Sequence, residues 1–170
     1  MNTRILLREG MVAGLVGAAA VALWFLALDL INNHPMFTPA VLGATLFRSL
    51  GMDVASQGMA VPVLAYSVFH VAMFVVIGVI ATYATFALGR RPSMLVGTVV
   101  LLAVLEIGYL AATYLVASSE LFGAYTWWQF GGANMVAAFF MGRYIWRSQH
   151  PARQWDWDKA NDSHFHRSEA

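Results

Sequence analysis

Four strongly polar residues interrupt otherwise apolar stretches of this 170-residue chain: Asp29, His70, Glu106 and Asn134. A histidine with carboxylates can relay protons, hold a metal ion or grip a cationic ligand. Glu106 is the leading candidate, because a carboxylate deep in an apolar segment is the hardest of the four to explain as packing. The competing reading is structural. A hydrogen-bonded clasp, with His70 meeting Glu106 or Asn134, would fix the register between helices.

More specific chemistry has no motif to carry it. The chain contains no H-E-x-x-H, no G-x-S-x-G and no glycine-rich phosphate loop. His70 has no second histidine within an apolar stretch, which argues against bis-histidine haem. Ser67, His70 and Asp29 can be written as a triad, but no surrounding pattern supports one. The absence of cysteine excludes disulfides, thiolate metal sites and a cysteine nucleophile. No motif specifies a cofactor.

Composition says where these residues must work. Hydrophobic residues make up 59% of the chain and charged residues 11%, with a mean hydropathy of +0.63. A soluble domain carries about 25% charged residues, and a sphere of this size cannot hide so much apolar surface from water. A soluble globular enzyme and a disordered chain are thus excluded. The net charge of +1 provides no field for nucleic acid. The expected class is all-α, an integral membrane four-helix bundle. Its membrane domain covers residues 1–147, and a polar tail follows over 148–170.

About 20 apolar residues carry a helix across the hydrocarbon layer, and four stretches satisfy this, at about 10–31, 61–88, 92–116 and 123–146. Turn or charge signals bound them at Asn32-Asn33-His34-Pro35, Gly89-Arg90-Arg91-Pro92 and Ser118-Ser119-Glu120. The first resembles a signal peptide in its flanking Arg4 and Arg8. Its apolar run continues through Trp24, Phe25 and Leu28, which favours an uncleaved helix. With four crossings, every basic residue except Arg48 falls on one side, so both termini are expected in the cytoplasm. Trp127, Trp128 and Trp146 sit where head groups should be. At 1.5 Å per residue, Asp29 falls roughly 13 Å and His70 roughly 8 Å outward of the midplane, with Glu106 and Asn134 roughly at the centre.

Secondary features refine the layout. Gly10, Gly14, Ala18 and Ala22 form a small-residue stripe along the first helix, suited to close packing within the bundle or to a homodimer. In the first outer loop, Thr38-Pro39 reads as an N-cap with proline at the first helical position, and Gly51 reads as a stop. The resulting short amphipathic helix, about 39–50, would lie on the interface or cover the bundle mouth as a lid. In the tail, Trp155-Asp156-Trp157-Asp158-Lys159 suits docking on a partner or membrane surface, or is a poorly ordered end. His164 and His166 alone are too few for a metal site, and the sequon at Asn161 would face the cytoplasm.

The layout resembles that of small four-span bacterial inner-membrane proteins, a likeness of arrangement without shared motifs. Three functions are compatible with these residues. The first is a non-catalytic subunit or scaffold of a membrane assembly. The second is a dimeric proton-coupled carrier using Glu106 and His70. The third is an intramembrane metal, haem or quinone site around His70, Glu106 and Asp29. The expected partners are the lipid bilayer and other membrane subunits or a second copy of the chain, with no nucleic acid.

Overall fold

The computed structural model describes residues 3–53, 55–87, 97, 101–107 and 127–149. Most of the third predicted span, the start of the fourth and the tail beyond Gln149 lie outside these residues. Among the described residues all regular structure is helical: α1 (Thr3–Ile31), α2 (Phe37–Ser49), a short 3-10 turn (Ala55–Gln57), α3 (Ala60–Ala87), a helical stretch over 101–107, and α4 (Trp127–Gln149).

α1 is the hub, packing against both α3 and α4, while α2 rests on the start of α3. Its buried residues include Leu6, Gly10, Ala13, Gly14, Gly17, Ala18, Val21, Phe25 and Asp29. Steps of one, three and four keep them on the inner side of a 3.6-residue helix. α1 begins seven residues before the apolar window because Arg4 and Arg8 extend the helix as exposed residues at its end.

Contacts along the two seams set the direction of each helix. Gly10 lies against Val79, Gly14 against Phe74 and Val75, and Ala18 meets His70, so α3 runs antiparallel to α1. Trp24 meets Gln129, Gly17 meets Met141 and Glu9 meets Tyr144, so α4 is also antiparallel to α1. The core between them comprises Ala18, Val21, Phe25, Phe74, Ala133, Ala137, Ala138 and Met141, joined by Leu101 and Leu105 of the 101–107 stretch.

The exterior is the reverse of a soluble protein. Large apolar side chains point outward, among them Leu23, Leu64, Val68, Ile80, Ile107 and Met135, each at least 59% exposed. α1 and α3 are each long and apolar enough to cross a bilayer. α3 buries only 11% of its most apolar stretch. α4 is comparable in length but more polar, since it carries Gln129, Asn134, Arg143 and Arg147.

α2 starts differently from the sequence expectation. Its N-cap is Met36, held in the left-handed region at φ 66°, and no cap side chain of its own bonds the helix. Thr38 is instead inside the first turn, where Asp29 of α1 binds it. The predicted stop does form. Gly51 adopts φ +78°, its N–H donates to the Arg48 carbonyl, and the Met52 N–H donates to that of Phe47. This pair of bonds closes the last turn, and glycine takes the left-handed position without a Cβ penalty.

Candidate functional site

The four candidate residues occupy three separate links. Asp29 sits near the end of α1 and is 2% exposed. Its Oδ2 accepts the Thr38 backbone N–H at 2.9 Å, and its Oδ1 accepts the Thr38 hydroxyl at 2.6 Å. The carboxylate thus supplies, from a neighbouring helix, the acceptor that a local N-cap side chain normally provides. Its negative charge also faces the positive end of the α2 dipole. The connecting turn makes this reach possible: the His34 N–H returns to the Asp29 carbonyl at 2.9 Å, and Asn33 and Met36 both take positive φ.

His70 links α3 to α1. Its Nε2 lies 3.2 Å from the Ala18 carbonyl oxygen. A carbonyl can only accept, so Nε2 carries the proton and donates. The ring is held between Tyr66, stacked at a centroid distance of 5.6 Å, and Phe74, tilted at 4.7 Å. Three residues spaced by one helical turn therefore orient the imidazole from their own helix.

Glu106 and Asn134 form the third link. The Asn134 amide donates to Glu106 Oε1 at 3.2 Å, joining the 101–107 stretch to α4. Gly131, one turn before Asn134, faces the same carboxylate. Neither expected pairing of His70 forms: Glu106 and Asn134 meet each other, and His70 takes a backbone carbonyl. Among the described residues no three His, Asp or Glu side chains come together as metal ligands.

A cavity of about 470 Å³ opens between α1, the start of α2 and α3. Asp29, Thr38, Tyr66, Ser67 and His70 contribute its polar wall, and residues such as Leu15, Ala22 and Val71 its apolar wall. Glu106 and Asn134 are not among the residues lining it.

The small-residue stripe divides in the same way. Gly10, Gly14 and Ala18 are buried on α1, and Gly78 of α3 faces the backbone of Gly10 and Gly14. A Cβ built on Gly14 would come within 2.5 Å of Val75 Cα, and one on Gly10 within 2.6 Å of Val79 Cα. Ala22 departs from the stripe: it is exposed and borders the cavity, because a four-residue step drifts about 40° round a 3.6-residue helix and the buried face passes to Val21 and Phe25.

Several structural residues escaped the sequence reading. Glu9 accepts a 2.8 Å hydrogen bond from the Tyr144 hydroxyl and lies 3.6 Å from Arg8. Gly17 admits Met141 and Gly43 admits the backbone of Pro62. The Trp24 indole donates to the Gln129 carbonyl at 3.0 Å. Thr82 is 1% exposed, and its hydroxyl has no hydrogen-bond partner in the structure. Comparison with protein-family models, curated proteins and solved structures gave no match.

Proposed function

We infer that this chain is a non-catalytic scaffold or subunit of a membrane assembly, a four-span bundle of the inner membrane with both termini in the cytoplasm. The observation that carries this reading is the use made of the polar residues. Asp29 holds the start of α2, His70 holds the backbone of α1, and Asn134 holds Glu106. Each supplies a link between segments. A carrier using Glu106 with His70 would need the two at one site, and their observed partners differ.

The distribution of side-chain size supports membrane residence. Glycine and alanine bring α1 close to its neighbours, and exposed leucine, valine, phenylalanine and methionine cover the outside of the described helices. Lipid removes the hydrophobic penalty for such an exterior and leaves close packing and hydrogen bonds to hold the helices. Arg4 and Arg8 begin α1 at the same end of the bundle where α4 terminates with Arg143 and Arg147, as positive-inside topology requires. α3 also ends there, whereas α4 starts at the opposite end, an arrangement compatible with four crossings.

The exposed face of α3 is the surface offered to other subunits. Photoreactive benzoylphenylalanine at Val68, Val76 and Ile80, introduced singly in native membranes, tests this. The expected result is a discrete protein adduct at one or more of these positions. Lipid adducts alone at all three, with the chain migrating as an isolated species, would contradict the scaffold reading.

A further inference from the structure

The cavity between α1 and α3 has features that helix packing does not require. Its volume of about 470 Å³ lies within the roughly 300–1,000 Å³ typical of small-molecule sites. Leu15, Leu23 and Val71 line it and are each exposed, so it is open to the surroundings of the bundle along an apolar lip. Residues 15 to 29 of α1 border it, a distance of roughly 21 Å along the helix. An elongated apolar molecule fits such a trough.

Two polar groups on the wall have hydrogen-bonding capacity that the bundle leaves available. His70 donates through Nε2 to Ala18, so in the neutral ring Nδ1 is an acceptor. Tyr66 stacks on this ring, and its phenolic hydroxyl is a donor. Ser67 has already donated its proton to the Val63 carbonyl at 2.7 Å. Both Asp29 carboxylate oxygens receive bonds from Thr38. Tyr66 and His70, on adjacent turns of α3, thus add a donor and an acceptor to the residues of the cavity wall, beside the Ser67 and Thr38 hydroxyl oxygens, which can still accept.

We propose that this cavity binds a single-chain amphiphile from the bilayer whose head is an uncharged hydroxyl. A hydroxyl can accept from Tyr66 and donate to His70 Nδ1 together, whereas a ketone or ester can satisfy only Tyr66. The Asp29 carboxylate on the same wall, with no lysine or arginine among the described lining residues, disfavours an anionic head. The aliphatic chain leaves between Leu15, Leu23 and Val71 toward lipid. The site rests on the membrane placement proposed above but is independent of the scaffold role.

The test uses the full chain reconstituted in phosphatidylcholine vesicles, with a diazirine analogue of cetyl alcohol as the probe. Flotation with the vesicles first establishes membrane placement, so failure of that premise is distinguishable from failure of the site. Saturable labelling is expected on the peptides bearing Leu23 and residues 63–71. Unlabelled cetyl alcohol competes, whereas palmitate and hexadecane compete at least tenfold less well. Tyr66→Phe keeps the stacked ring, removes only the hydroxyl, and weakens binding about fivefold. Ala22→Phe fills the exposed wall of the cavity and abolishes labelling while circular dichroism stays unchanged. Equal competition by hexadecane, undiminished labelling of Tyr66→Phe, or non-saturable labelling spread over all exposed helices would overturn the proposal.

Discussion

The two seams of α1 are built by opposite means. Against α3, side chains are removed: Gly10, Gly14 and Gly78 bring backbone onto backbone, and His70 reaches a carbonyl. Against α4, side chains are large and interlocked. Phe25 and Phe130 meet at 5.3 Å, Trp24 lies over Gly132, and Met141 fills the space beside Gly17. The first seam derives stability from proximity, where dispersion and weak backbone contacts accumulate. The second derives it from shape. A backbone seam has no rotamers with which to absorb an added methyl group, whereas a seam of flexible side chains can adjust.

This contrast ranks the expected effects of mutation. Gly14→Val should be the most damaging, costing about 3 kcal/mol or preventing folding, because its added atoms meet Phe74 and Val75 backbone. Gly17→Ala places a methyl against Met141 and the Phe74 ring edge, side-chain atoms rather than backbone, and should cost less. Steric-trap unfolding in bicelles would compare the two. Equal losses would erase the distinction between the seams.

A smaller loss is expected at the link that neither seam contains. Thr38→Val removes the hydroxyl bound to Asp29 and leaves that carboxylate oxygen without this donor, costing about 1–3 kcal/mol. The damage should be local. Hydrogen exchange should accelerate across residues 37–49 while α1 and α3 keep their protection. Uniform acceleration would mean that this bond supports the whole bundle rather than the start of α2.

Smaller still is the link between Glu106 and Asn134. Glu106→Gln retains an oxygen acceptor and should change stability by less than about 0.5 kcal/mol. Asn134→Ala removes the donor and should cost about 0.6–1.7 kcal/mol, the range found for hydrogen bonds between membrane helices. A double-mutant cycle with Glu106→Ala and Asn134→Ala would return that coupling. A cost of about 0.5 kcal/mol is expected for Tyr144→Phe, which loses only its bond to Glu9 at the end of α4.

Much of the helical framework was legible from hydropathy. The expected spans 10–31 and 61–88 correspond to α1 and α3, because long apolar runs require helices where water is absent. Gly51 was readable as a stop because its signal is local. Thr38 was misread for the complementary reason. Its local pattern with Pro39 imitates an N-cap, but the decisive acceptor comes from Asp29 after a reversal of the chain. His70 stood out as polar, yet its partner is a backbone carbonyl, which no residue type advertises. Glu9 lay outside the apolar window and gave no sign of Tyr144, 135 positions later in the chain. The stripe at Gly10, Gly14 and Ala18 was visible by spacing, but a four-residue step drifts round a 3.6-residue helix, so Ala22 leaves the seam and borders the cavity. The expectations for the Trp155–Lys159 tail fall outside the described residues.

Membrane placement underlies both the proposed scaffold role and the proposed amphiphile site, and the cysteine-free chain offers a clean test. Single cysteines at Arg8, Ser56 and Arg147 would be exposed to a membrane-impermeant maleimide, first on intact spheroplasts and then after permeabilisation. Ser56→Cys should label at once, while Arg8→Cys and Arg147→Cys should label only after permeabilisation. Labelling of all three before permeabilisation, or recovery of the chain in the soluble fraction, would contradict a bundle with both termini inside.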